Sequence, residues 1–336
     1  MSYNIVCCTD DNYAQYCGVM LCSLLDNNKD NELIIHVLIN QLSEENRNKL
    51  IKIVEFYNSK IIFHIVDESK LDGVKFRIHN PLSKAAYYRL LLSSVLPDVS
   101  IVLYFDCDMI ILKNIAELFK LEIKDYALAA VADHSPESDL HRRQLSLSYG
   151  SQYFCSGILL INLDYWRKNN SEEKLIEYSK RDRYVFLHDQ DSLNYVFKNK
   201  WFVLPPKWNR LNLAIPKKAM FDKRYDEQEY FSDPCVIHYA TKLCKPWYNI
   251  HFLRYKSLYI KYLHKTPWKD AKPLKCKNKK KVYFVMASVY FNNFIYSCPP
   301  LIGLLLLMLY DIIRFCAHVA NGRKINSFVY SRYKNL

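Results

Sequence analysis

Asp106 and Asp108, separated by Cys107, carry the strongest chemical signal in this chain. They follow Ile101-Val102-Leu103-Tyr104-Phe105, an apolar and aromatic run as long as a buried parallel strand, and Ile110-Ile111-Leu112 come after them. Two carboxylates thus interrupt a buried segment where a strand of an open α/β sheet would end, and ligands in such sheets bind outside the carboxyl ends of the strands. Positions i and i+2 of an extended chain point the same way, so both acids can face one divalent cation. Oxygen ligands suit Mn²⁺ or Mg²⁺ rather than a soft metal. The competing reading is a polar turn after a strand.

Three further segments can join that pair. Asp10-Asp11-Asn12-Tyr13 also comes directly after a strand-like run. Its carboxylate and amide groups can hydrogen-bond the edge of a base, and Tyr13 offers a face for stacking; a polar turn with an N-cap accounts for the same residues. Asp189-Gln190-Asp191 precedes the helical Leu193-Asn194-Tyr195-Val196. Acids are favoured at a helix N-terminus by the dipole, and Asp191 can be explained that way alone. In Val236-Ile237-His238-Tyr239, a strand-end histidine is a candidate third ligand beside two carboxylates. Lys245, in Lys245-Pro246-Trp247, supplies a point charge for phosphate.

The elements that must position these residues read as strands at Asn4–Cys8, Leu33–Ile39, Ile61–Val66, Ile101–Phe105, Tyr126–Ala132 and Ile158–Asn162. Helices are expected to about Leu25, after Ser43-Glu44-Glu45, and over Ser83–Leu96 with Arg89 inside. Alternation with short connections predicts an α/β fold, a doubly wound and mostly parallel sheet with helices on both faces. No internal repeat is visible.

The chain has 336 residues, half of them apolar, enough for a sizeable core. Six glycines and no G-x-G-x-x-G or G-x-x-x-x-G-K-[ST] exclude a Gly-rich phosphate loop. A metal held by Asp106 and Asp108 would neutralise a nucleotide's phosphates instead. The net charge of +13 is concentrated: from Pro267 onward there are twelve Lys/Arg against two Asp, so the tail carries +10. A near-neutral body with a basic tail points to docking rather than to nucleic acid. The 11 cysteines include no C-x-x-C pair, and no secretory leader precedes Asn4. A reduced cytosolic protein without disulfides or structural zinc is expected.

After Thr266 the character changes, which places a domain boundary between 1–266 and 267–336. Lys269 to Lys281 holds seven lysines and reads as an exposed hinge, an aromatic stretch runs from Val282 to Tyr296, and Pro299-Pro300 leads into the aliphatic Leu301–Leu309. The apolar stretch to Tyr310 falls short of the about 20 residues a span needs. An interfacial helix over Pro299–Phe315 that holds the protein to an anionic membrane surface is expected; a buried helix packed on the body is the alternative.

In its ordered blocks T-D-D-N-Y, A-Y-Y-R-L, L-Y-F-D-C-D, F-C-S-G-I-L-L-I-N, H-D-Q-D-S-L-N and H-Y…K-P-W, from Asn4 to about Trp247, the chain resembles glycosyltransferase family 8. The likeness is to the bacterial lipopolysaccharide and lipooligosaccharide galactosyl- and glucosyltransferases in particular. The resemblance implies a GT-A fold, a nucleotide-sugar donor (a UDP-hexose), a Mn²⁺-like cation and retention of anomeric configuration. Carried over residue by residue, it gives Asp10, Asn12 and Tyr13 the uracil and ribose, Arg89 the donor sugar and its surroundings, and Asp106, Asp108 and His238 the metal. Lys245 would hold the diphosphate, Asp189 the donor sugar's hydroxyls, and Gln190 would lie beneath the anomeric carbon; Asp133 is a weaker sugar contact. The family usually has Asn where Cys155 stands in Phe154-Cys155-Ser156-Gly157, so an amide expected to bind donor sugar is missing. The stretch from His238 to Lys245 lacks the usual Gly and is longer than the commonest spacing.

The expected activity is metal-dependent, retaining transfer of galactose or glucose to a lipid-linked or cell-surface glycan on the cytoplasmic face of the membrane. An amide oxygen is weakly nucleophilic, so Gln190 is assigned to stabilising oxocarbenium character during same-face internal return, with double displacement through Asp189 as the other route. A metal-dependent UDP-sugar hydrolase, a catalytically silent sugar-binding scaffold and a transferase acting on a host protein are the competing functions.

Overall fold

In the computed structural model the described residues are 2–74, 84–133, 152–181, 188–212, 233–241, 244–251 and 253–280, with isolated positions besides. The expected aromatic and aliphatic segments over Val282–Phe315 lie almost wholly outside them. The chain divides into two compact units, 1–212 with 225–276, and 213–224 with 277–336. Every element below belongs to the first, which continues through Cys276, past the boundary drawn after Thr266.

Among the described residues ten strands alternate with helices: β1 (Tyr3–Cys8), α1 (Ala14–Asp26), β2 (Leu33–Ile39), α2 (Glu44–Phe56), β3 (Lys60–Ile65), β4 (Ile101–Phe105), β5 (Met109–Ile111), β6 (Leu128–Ala132), β7 (Phe154–Asn162), α3 (Leu163–Lys168), α4 (Ser171–Ser179), α5 (His188–Val196), β8 (Trp201–Leu204), β9 (Arg210–Leu211), β10 (Val236–His238) and α6 (Lys256–Leu263). Seven strands form one sheet in the order β3-β2-β1-β4-β7-β6-β8. Neighbours pair in parallel except around β7, which runs against both β4 and β6. A three-stranded sheet, β5-β10-β9, stands beside it.

Strand alternation explains the layers. In β1, Ile5 and Cys7 join one core cluster with Val19, Met20 and Leu21 of α1 and Leu50 and Ile53 of α2. Val6 and Cys8 join another, with Tyr87, Leu90 and Leu91, Trp166 of α3 and Leu175 of α4. A sheet buried on both faces must be apolar at consecutive positions, as β4 and β7 are. Ser43 caps α2 by accepting the Asn46 amide, as its sequence signals. The run expected to be a helix over Ser83–Leu96 is instead a 3₁₀ stretch, Lys84–Leu91, closing in one α turn, Leu92–Val95. It has almost no polar face, since Ala85, Tyr87, Tyr88, Arg89, Leu90 and Leu91 are all buried, so tertiary packing rather than amphipathic period sets its winding. Strand β7 begins at Phe154 rather than Ile158; a bulge opposite Ala130 and Val131 lets Phe154 and Cys155 keep pairing with β6.

Candidate active site

Two backbone ladders deliver the acids and the histidine to one point. The Asp106 amide donates to Gly157 O at 2.8 Å, extending the β4–β7 ladder by one residue. Cys107 turns inward, its thiol donating to Cys8 O at 3.2 Å. Asp108 opens β5, whose Met109 pairs with His238 of β10, and the Tyr239 amide donates to Asp108 O at 2.9 Å. Ligand atoms of Asp106, Asp108 and His238 all lie within 4.8 Å of one another.

The oxygens left for a cation can be assigned. Asp106 Oδ1 already accepts from the Tyr104 hydroxyl and from Arg89 Nη2, each at 2.7 Å. Its Oδ2 lies 3.9 Å from His238 Nε2. Asp108 Oδ2 is held by Lys245 Nζ. Asp108 Oδ1 is buried without a hydrogen-bond donor among the described residues, 3.3 Å from His238 Nε2. Two carboxylate oxygens and one imidazole nitrogen therefore face each other, a donor set that fits a hard or borderline dication. Burial alone would raise Asp108, but Lys245 and His238 outweigh it and hold the carboxyl well below the usual range. Burial likewise opposes charge on His238, yet the Asp108 carboxylate beside it lifts the imidazole to about 10.

Arg89 is buried between the acids. Nη1 donates to Ser156 O at 2.8 Å, Nη2 reaches Asp106, and Nε lies 3.1 Å from Asp189 Oδ2. Burial pushes Asp189 up to about 6, with Arg89 pulling the other way. Gln190 Oε1 accepts from the Ser156 amide at 2.8 Å and from its hydroxyl at 3.2 Å. One turn further along α5, Asn194 pairs with both backbone groups of Phe154, at 2.8 and 2.9 Å. Helix positions four apart (about 6 Å) match strand positions two apart (about 6.6 Å), so α5 docks on β7 as a substitute strand.

The β1–α1 turn is organised from within. Asp10 Oδ1 accepts the Tyr13 amide at 3.0 Å, the turn-capping role weighed from sequence. Asp11 ties the turn to the start of α2 by accepting from Ser43 N, Ser43 Oγ and Asn46 Nδ2. Asn12 is exposed and Tyr13 half-buried. Tyr13 packs edge-on against Tyr16 and Trp247, which stack on each other at 3.7 Å. Asp133 lies at the end of β6, its amide donating to Tyr153 O at 2.7 Å.

Known proteins resemble this chain in sequence and fold. The sequence profile of glycosyl transferase family 8 matches residues 4–251. The chain belongs to glycosyltransferase family 8. It is 32% identical over 276 residues to general stress protein A of Bacillus subtilis, covering 79% of this chain and 94% of that one. It is 27% identical to a lipopolysaccharide 1,2-glucosyltransferase of Escherichia coli over 80% of each chain. The crystal structure of galactosyltransferase LgtC with donor and acceptor sugar analogs superposes with a TM-score of 0.68 at 26% identity, over 79% of this chain and 96% of that one. The protein is thus a glycosyltransferase with the GT-A fold of that neighbour.

Two parts of this glycosyltransferase's site take their roles from contacts far apart in the sequence. Asn209, just before β9, accepts from His238 Nδ1 at 3.0 Å. An amide oxygen can only accept, so Nδ1 carries a proton and Nε2 is the nitrogen left for the carboxylates. Gly157 is the floor beneath the ring: a Cβ there would sit 2.5 Å from His238 Cε1 and 2.6 Å from Met109 Cε. Cys155 Sγ lies 4.0 Å from His238 Nδ1, on the ring edge away from Asp106 and Asp108. In the Gly-less stretch after His238, Lys245 Nζ is anchored on Tyr239 O at 2.7 Å as well as on Asp108.

Proposed function

We propose that this enzyme moves a hexose, galactose or glucose, from a UDP-sugar to a lipid-linked or cell-surface glycan with retention, using Mn²⁺ or Mg²⁺. The observation that carries the reading is the convergence of Asp106 Oδ2, Asp108 Oδ1 and His238 Nε2 at the carboxyl edge of the sheet, one strand from Gln190. The cation, held by those three, supplies positive charge against the diphosphate.

Asp10, Asn12 and Tyr13 bind the uridine, with Tyr13 backed by Tyr16 and Trp247. Lys245 turns its ammonium to the diphosphate and meets the charge that grows on departing UDP. As the anomeric C1–O bond to UDP breaks, the acceptor oxygen bonds C1 from the same face and its proton passes to the leaving phosphate oxygen. Gln190 Oε1, held by Ser156, presents negative partial charge to the electron-poor centre. An oxygen that already accepts two hydrogen bonds is a poor nucleophile, which favours internal return. Asp189, paired with Arg89, orients sugar hydroxyls. Arg89 holds Asp106 and Asp189 in place, and Asp133 and Cys155 border the sugar.

The basic stretch Lys269–Lys281 supports docking on anionic lipid at the cytoplasmic face. No helix among the described residues is long and apolar enough to cross a membrane. Purified protein with Mn²⁺ and a panel of UDP-sugars tests the reading through UDP release with and without lipooligosaccharide. Release that requires acceptor and one UDP-hexose is expected. Release without acceptor identifies a hydrolase, and no turnover with any sugar a scaffold.

A further inference from the structure

We propose that residues 268–276, beyond the stretch matched by the family profile, form a strap that positions Trp247 and Lys245 for the nucleotide; this rests on the donor-site reading above. The strap is pinned at both ends within the catalytic unit. At one end Trp268 lies on α1 over Gly18, where a Cβ would come within 2.4 Å of its Cζ3, and Lys49 Nζ stands 5.4 Å from its ring. A glycine inside a helix costs about 1 kcal/mol against alanine, and this one makes room for the indole. At the other end Leu274 N donates to Trp247 O at 2.8 Å, and Asn249 N donates back to Leu274 O at 2.9 Å. Cys276 N donates to Asn249 Oδ1 at 3.0 Å.

What the strap grips is the centre of the nucleotide shelf. Trp247 stacks on Tyr16, meets the edge of Tyr13 at 6.3 Å, and lies 5.8 Å below Lys245 Nζ. The backbone from Lys245 to Ile250 forms no helix or strand of its own. It is held by local turns, by Lys256 Nζ on Tyr248 O and Ile250 O, and by the strap. Leu274 acts through its backbone, since its side chain is 49% exposed. It is a positioning residue: it sets where the ring that backs Tyr13 and the phosphate-binding ammonium stand, and touches neither the base nor the diphosphate.

Leu274→Pro in the full chain removes the N–H and leaves the carbonyl, extending an existing Pro273; Leu274→Ala keeps both. UDP affinity in saturating Mn²⁺ should fall about tenfold in Leu274→Pro, the scale of one well-placed hydrogen bond to an ordered loop, and return in Leu274→Ala. Asn249→Ala should weaken UDP in the same direction, by about threefold. Affinity for Mn²⁺ alone should not weaken in any of them, because the strap bonds none of Asp106, Asp108 or His238. Wild-type UDP affinity in Leu274→Pro overturns the strap and leaves the proposed function standing. Equal losses of UDP affinity, Mn²⁺ affinity and melting temperature also overturn it, by making the segment a general fold element. If the unaltered protein binds no UDP, the donor-site reading fails and takes the strap with it.

Discussion

Asp106-Cys107-Asp108 and Asp189-Gln190-Asp191 have the same acid–x–acid spacing and opposite fates. The first leaves the end of a strand, where alternate residues share a side: Cys107 turns to the core and both carboxylates face His238. The second lies in the first turn of α5, where residues two apart point away from each other. Asp189 goes to Arg89, while Asp191 Oδ1 accepts from the Tyr153 hydroxyl at 2.7 Å. The residue between them, Gln190, accepts from the Ser156 amide of β7, whose hydroxyl also reaches Asp189 Oδ2 at 3.5 Å. Secondary structure, not spacing, decides which pair of acids can share a cation.

Removing one acid from each pair should separate them most widely. Asp106→Ala or Asp108→Ala should abolish Mn²⁺-supported transfer, by about a thousandfold or more, since a lost cation forfeits several kcal/mol of charge stabilisation. The fold should survive, which circular dichroism and thermal melting check. Asp191→Asn should leave Mn²⁺ affinity intact and lower stability by about 1–2 kcal/mol through the weakened buried hydrogen bond. Undiminished turnover in either of the first two variants under saturating metal would undo the contrast.

Gln190→Ala probes the middle of the second motif. It should lower kcat by about a hundredfold while UDP affinity changes little, because the contact strengthens only as charge builds at the anomeric carbon. A change in UDP affinity alone would reassign Gln190 to ground-state binding. A sugar ester trapped on Asp189 would establish double displacement.

Support of the first motif is the next test. Asn209→Ala frees His238 Nδ1 and should weaken Mn²⁺ about tenfold or more by calorimetry, the usual effect of losing a partner behind a metal-bound histidine. Gly157→Ala should act similarly by pushing the ring off its floor. Metal affinity unchanged in both would mean that His238 is not a ligand.

Much of this was legible because it is local. Leu33–Ile39 is a strand where its apolar run lies, and Ser43 announces its helix by cap chemistry. The D-C-D pair could be read from alternation alone. Asn209 and Gly157 could not, because each acts through a contact made across about 30 or 80 positions of sequence, and neither an Asn after a Trp nor a Gly in a strand advertises such a partner. Arg89 shows the same limit from the other side. Its block was visible, but only the packed 3₁₀ run reveals that its guanidinium is spent on Asp106, Asp189 and Ser156.

The smallest effect sharpens the comparison through protons. His238 titrates at about 10 beside Asp108, so at pH 7 both ring nitrogens carry protons and a cation reaching Nε2 must displace one. Calorimetry of Mn²⁺ binding at pH 7 in buffers of different ionisation enthalpy should then report about one proton released, with affinity rising as pH climbs toward 10. Asp189 offers the opposing case: burial raises it to about 6, and with no part in the metal site it should contribute nothing to that release. The stability signs differ as well. With the metal chelated, the charged His238 stabilises the fold fully below its ordinary value of 6.5, and that contribution is lost as pH rises through about 10. Asp189, a carboxyl raised by burial, contributes stability below its ordinary 3.8 that is already lost above about pH 6. A melting temperature that falls between pH 7 and 10 in chelator therefore reports His238 and not Asp189. His238→Asn should flatten that fall and release no proton on binding Mn²⁺; if the slope and the proton persist in His238→Asn, another group is the titrating ligand.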